Sequence, residues 1–163
     1  MQTTMYTEEE NSNSKLSGQA ISFFVHTALA LGSWLVLMFV GYALNPPAVS
    51  QSIVLVMSLL VPLAVGNIVT RFRQDEMAPV VWLVGLIWVL IISLWILDMP
   101  TGPNECFQCD ATEKLSRTFF SLPKPSGLID NDGPFLGTWP AAALLGYSIG
   151  ARLALRSRKK SKA

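Results

Sequence analysis

The sequence is poor in the groups on which most soluble domains and most enzymes rely. Only 14% of its 163 residues are Asp, Glu, Lys or Arg, against about 25% in an average globular domain. It has one histidine, His26, and two cysteines, Cys106 and Cys109. Each scarcity excludes something. A lone histidine cannot supply bis-histidine ligation from one chain. Two cysteines, even with Glu105 and Asp110 beside them, fall short of a zinc site without help from another chain. Asp130–Asn131–Asp132–Gly133 has the acid spacing of a calcium loop but not its distant bidentate Glu. No phosphate-cradling glycine loop, hydrolase elbow or paired-histidine metalloprotease helix is present. Nothing in the sequence calls for a cofactor or a metal.

What the chain does have is apolar length. Half of it is hydrophobic (51%), and the mean hydropathy is +0.42. Four apolar runs stand out, at 21–44, 52–69, 78–97 and 135–151. A hydrocarbon core of about 30 Å needs roughly 20 residues of helix, with about 17 as a lower bound. None of the four contains Asp, Glu, Lys or Arg. The fold class expected is therefore an all-α membrane protein of four transmembrane helices. The same lack of intramembrane charge argues against ion-coupled transport, which generally uses such groups. The first run is not a cleaved secretion signal: it exceeds the usual length, and an acidic stretch, Glu8–Glu9–Glu10, precedes it where a basic one is expected.

Charge orients the spans. Lys and Arg concentrate on the cytoplasmic side of membrane proteins. Lys15, Arg71, Arg73 and the tail residues Arg152, Arg156, Arg158, Lys159, Lys160 and Lys162 fall on one side, and Lys114, Arg117 and Lys124 on the other. Both termini are thus expected in the cytoplasm. Asn45–Pro46–Pro47 ends the first run, because proline lacks a donor and disfavours helix in the residue before it. Short links make spans one and two, and two and three, antiparallel hairpins, which gives an up-down bundle. The division is a disordered tail over 1–19, a membrane domain over 20–155 and a basic tail over 156–163. An extracytoplasmic loop, 98–134, separates spans three and four. Within it 111–122 has the pattern of a short amphipathic helix, with Thr112 as its cap.

Four features bear on function. Cys106–Phe107–Gln108–Cys109 lies on the oxidising face, as a structural disulfide pinning a turn or as a redox-active pair. His26 sits just inside the first span, as a hydrogen-bonded structural group or as a weak candidate cofactor ligand. Ala142, Gly146 and Gly150 repeat at four-residue spacing, a face that lets another helix approach closely, and Ala28 and Gly32 form a weaker version. Arg156, Arg158, Lys159 and Lys160 form a run suited to anionic lipid headgroups. It is too short to indicate nucleic-acid binding. The expectation is a small polytopic protein, non-enzymatic, acting as an accessory or assembly subunit through helix–helix and outer-loop contacts. Its partners would be the bilayer and other membrane subunits or further copies of itself. The alternatives are a thiol–disulfide oxidoreductase using Cys106 and Cys109, or a cofactor-binding subunit using His26. Without an Asn-x-Ser/Thr acceptor in the outer loop, a bacterial inner membrane is the expected location.

Overall fold

The computed structural model describes residues 3–44, 51–98, 110–120 and 137–161. Among these the regular elements are all helical, with no strand. They are α1 (Thr3–Leu44), α2 (Gln51–Phe72), a 3₁₀ turn (Ala78–Val80), α3 (Trp82–Asp98), α4 (Ala111–Phe120) and α5 (Thr138–Ser161). Among the described residues three segments are long and apolar enough to cross a membrane: Leu16–Leu44, Ser52–Phe72 and Ala78–Asp98. They coincide with the first three apolar runs apart from a few residues at their ends. In α5 the corresponding stretch carries Ala141, Ala142, Ala143, Gly146, Gly150 and Ala151 where the other helices carry Leu, Ile and Val. Small residues lower its hydropathy, and packing explains their presence.

The closest packing is between α2 and α5. A Cβ added at Gly146 would overlap the Leu59 carbonyl oxygen, one at Gly150 would overlap that of Leu63, and one at Gly66 would overlap that of Tyr147. Only hydrogen fits between these backbones. Asn67 Nδ2 donates to the Gly150 carbonyl at 3.3 Å, and Arg158 Nη2 donates to the Arg71 carbonyl at 2.5 Å. Residue numbers rise together along both helices, so α2 and α5 run in the same direction. By contrast α3 is antiparallel to α5, with Trp82 beside Ser148 and Arg152 and Gly85 beside Ala141 and Leu144. α2 continues through Pro62, which is fully buried.

Among the described residues two core clusters stand out. One holds Ala30, Ala78, Val81, Leu144, Tyr147 and Ala151. The other holds Trp34, Trp139 and Ala143, with Met38, Val54 and Leu55 packed against them. Both draw on α1 through a single ridge at four-residue spacing, which places successive side chains one above another on a helix face.

Two details depart from the sequence reading, and a third adds to it. Residues from Thr3 onward are helical and continuous with the first span, where an irregular tail was expected. Extending an existing helix costs far less than nucleating one, and the stretch holds no proline or glycine before Gly18 to stop it. The cap of α4 is Asp110, not Thr112: Asp110 Oδ1 accepts from the Glu113 amide at 2.7 Å and from Thr112 Oγ1 at 2.8 Å. Those two hydrogen bonds hold the Asp110 carboxyl below its ordinary pKa. Finally, the basic run after 155 is helical as far as Ser161, as a continuation of α5.

Candidate functional site

A group of hydrogen-bonded polar residues gathers where α1, the α2–α3 link and α5 meet. Ser22, His26, Ala30 and Trp34 lie on the inward ridge of α1, and His26 is only 3% exposed. The link after α2 supplies the partner. Asp75 Oδ1 accepts from the Met77 amide at 2.9 Å, a local turn in which an Asp side chain takes a backbone donor two residues on. This turn leads into the 3₁₀ segment around Pro79 and aims the rest of the carboxylate back at the bundle. Asp75 Oδ2 then accepts from Ser22 Oγ and lies 3.4 Å from His26 Nε2. On the other side of the imidazole, Nδ1 lies 2.6 Å from the Tyr147 hydroxyl. Tyr147 is fully buried on α5.

Four residues from three elements therefore form one clasp. The hydrogen positions follow from what each group can do. An ionised carboxylate only accepts, so His26 Nε2 carries the hydrogen that faces Asp75. In the neutral imidazole Nδ1 is then an acceptor and takes the Tyr147 hydroxyl hydrogen. Burial pushes the Asp75 carboxyl up. The Ser22 hydroxyl, the Met77 amide and His26 together outweigh it, and the net effect holds Asp75 below its ordinary value.

The order tyrosine–histidine–carboxylate resembles the wiring of an activated hydroxyl, but the hydroxyl at its end is not open to a substrate. Both imidazole nitrogens are engaged, so His26 has no free nitrogen to offer a metal or haem. Among the described residues no group of three or more His, Cys, Asp or Glu could hold a metal ion. What the arrangement does is mechanical: it ties α1 to the α2–α3 link and to α5.

Beside the clasp is an open crevice of about 400 Å³ between α1 and the C-terminal end of α2. Ile21, Val25, Leu29 and Val69 form its apolar wall. Gly18, Ser22, His26, Arg73 and Asp75 complete it.

The other residues singled out in the sequence scatter. Gly146 and Gly150 face α2, with Ala142 half-buried on the same helix. Ala28 is exposed, and a Cβ at Gly32 would meet no heavy atom within 4 Å. Arg156 and Arg158 are exposed near the end of α5. Lys159 and Lys160 belong to that helix, but their side chains lie outside the described residues, as do Cys106, Cys109 and Asp130–Gly133. The clasp was reached by sequence reasoning only at His26. Ser22 one turn before it was a usable sign, because the two share a helix face. Asp75 and Tyr147 gave none, since nothing local shows that the link folds back or which face of α5 turns inward.

Comparison with models of known protein families, with curated proteins and with solved structures finds no match for this chain.

Proposed function

We propose that this protein is a non-enzymatic membrane subunit that associates with other membrane proteins, or with its own copies, through the outward face of α1. The observation that carries this reading is the open small-residue surface on that helix. Ala28 is exposed, and a side chain could be added at Gly32 without meeting any other part of the chain. The equivalent residues on α5, Gly146 and Gly150, are spent on α2. In lipid, where apolar surface gains nothing by leaving solvent, close packing at small residues is a main source of helix association. The internal saturation of the clasp favours this reading over a cofactor-binding subunit, because ligation at His26 would first have to break one of its two existing contacts.

In this proposal α5 is the fourth span of an up-down bundle. Its parallel course with α2 and antiparallel course with α3 support that arrangement. Both termini lie in the cytoplasm, on the strength of the nine basic residues assigned to that side, and the membrane is the inner membrane of a bacterium. The reading is tested in native membranes by co-purification in mild detergent after crosslinking from a photoreactive residue placed at Gly32. A discrete crosslinked species is expected. A uniformly uncrosslinked monomer would remove the proposal.

A further inference from the structure

We propose that the crevice between α1 and the C-terminal end of α2 is a binding site for an anionic phospholipid, with its phosphate at Arg73 and an acyl chain against Ile21, Val25, Leu29 and Val69. The polarity of the crevice is graded along the helices. Ile21, Val25 and Leu29 recur at four-residue spacing on α1, covering about 12 Å at 1.5 Å per residue. They are 62%, 48% and 38% exposed, so the wall opens progressively toward the start of the helix. On α2, Val69 faces the deep end and Arg73 follows one turn later at the mouth. A deep apolar wall with a cation at its opening matches an amphiphile whose head is negative.

The sign of the charge follows from the state of the two ionisable groups at the mouth. Asp75 is engaged on both oxygens: the Met77 amide donates to one, while Ser22 and His26 face the other. It has little left to offer a cationic headgroup. Arg73 is exposed, and among the described residues it has no carboxylate at ion-pair distance. A guanidinium presents a planar fork of donors that matches two phosphate oxygens at once. Gly18 contributes by what it lacks, since a Cβ there would meet nothing within 4 Å. The headgroup can therefore come close to the backbone of α1.

The test uses the full chain, purified in mild detergent and stripped of lipid. Native mass spectrometry and thermal unfolding are followed on adding phosphatidylglycerol, phosphatidylcholine or inorganic phosphate. One arginine near a membrane surface is worth about 1 kcal/mol toward anionic lipid, so phosphatidylglycerol should bind roughly fivefold more tightly than phosphatidylcholine. Arg73→Gln should make the two lipids equal. Gly18→Leu should block both, and lipid-free unfolding should be equal to or slightly above that of the parent, because the added side chain enters open space and leucine is the better helix former. Arg152→Gln, which removes an exposed charge beside Trp82 and Ser148, outside the lining of the crevice, should keep the preference. The proposal is overturned if the lipids bind equally to the parent chain, or if Gly18→Leu folds and still binds. It is also overturned if Arg152→Gln abolishes the preference as fully as Arg73→Gln. Equal protection by inorganic phosphate would overturn it too, since that would make the site one for a bare anion.

Discussion

Two of the helices that pack on α5, α2 and α1, do so in opposite ways. α2 meets α5 backbone to backbone, with Gly66, Gly146 and Gly150 each placed where any side chain would strike a carbonyl oxygen. α1 meets α5 through side chains alone, along the ridge His26, Ala30 and Trp34, and leaves Phe24, Leu35, Val36 and Phe39 exposed. The first contact is spread over many small, close approaches that no single polar group controls. The second is fixed at one end by the clasp of Ser22, His26, Asp75 and Tyr147. In lipid, interhelical hydrogen bonds average only about 0.6 kcal/mol each, so a helix held by a few of them is the easier one to release. The difference divides the molecule into a permanent pair, α2 and α5, and an element whose attachment depends on chemistry at one site.

The strongest way to break this division is to attack the permanent pair. Gly150→Leu places a side chain into the Leu63 carbonyl and the Asn67 amide. Backbones cannot give way as a flexible side chain can, so a loss of about 3 kcal/mol or more is expected. The variant should fail to give a monodisperse peak in detergent size-exclusion chromatography. A well-behaved Gly150→Leu protein with parental unfolding temperature would show that the two backbones are not in contact.

A smaller and more local effect is expected at the clasp. His26→Ala removes the group that bridges Asp75 and Tyr147, leaving a buried hydroxyl without its acceptor and a carboxylate without one of its donors. Losing one partner of a buried hydrogen bond costs about 1–3 kcal/mol, and the low end applies because the Asp75 side chain is 16% exposed. Cysteine accessibility should rise along the inward ridge of α1, at Ala30 for instance, and stay unchanged at Ala143. A double-mutant cycle between His26→Ala and Asp75→Asn measures the coupling directly. Strict additivity of the two would mean that the pair does no holding.

The same site should respond to acid. Asp75 has a folded-state pKa below its ordinary value of 3.8. A depressed carboxyl contributes stability that is fully present above the unfolded value and is lost as pH falls through the folded one. The groups facing it are His26 and Ser22 on α1 and Tyr147, through His26, on α5; Arg73 lies in its own link. Only Asp75 passes from acceptor to potential donor in this range. Release of α1 is therefore expected below about pH 4, read as the same accessibility at Ala30. Asp75→Asn should show no such acid step, and an identical step in that variant would assign it elsewhere.

How far the sequence reaches is set by the range of the signal. The first three spans could be read, apart from a few residues at their ends, because exclusion of charge from lipid is written along the sequence itself. The face made by Ala142, Gly146 and Gly150 could be read as a packing surface, but not its partner, since spacing on α5 says nothing about α2. The clasp was hidden for a similar reason. Asp75 sits in a link whose composition, Arg73–Gln74–Asp75–Glu76, is that of an ordinary solvated turn. Only the bond from the Met77 amide turns its carboxylate toward His26. Tyr147 lies among small residues, where a tyrosine in a fourth span reads equally well as facing lipid.

The smallest expected effect on stability is the most informative about association. Gly32 is a glycine in a helix, like Gly150, but it faces open space, so Gly32→Leu should fold normally. Replacing an exposed helical glycine by a better helix former stabilises by up to about 1 kcal/mol in water. In detergent the unfolding temperature of this variant should equal or slightly exceed that of the parent. The glycine on α5 and the glycine on α1 then give opposite outcomes for the same substitution, which is the comparison in its sharpest form. If α1 is the face offered to other membrane proteins, Gly32→Leu should also lose the crosslinked species, because a leucine keeps a neighbouring backbone at a distance. A variant that is stable and still fully crosslinked would leave the permanent pair and the clasp intact and remove the assignment of a partner to this surface.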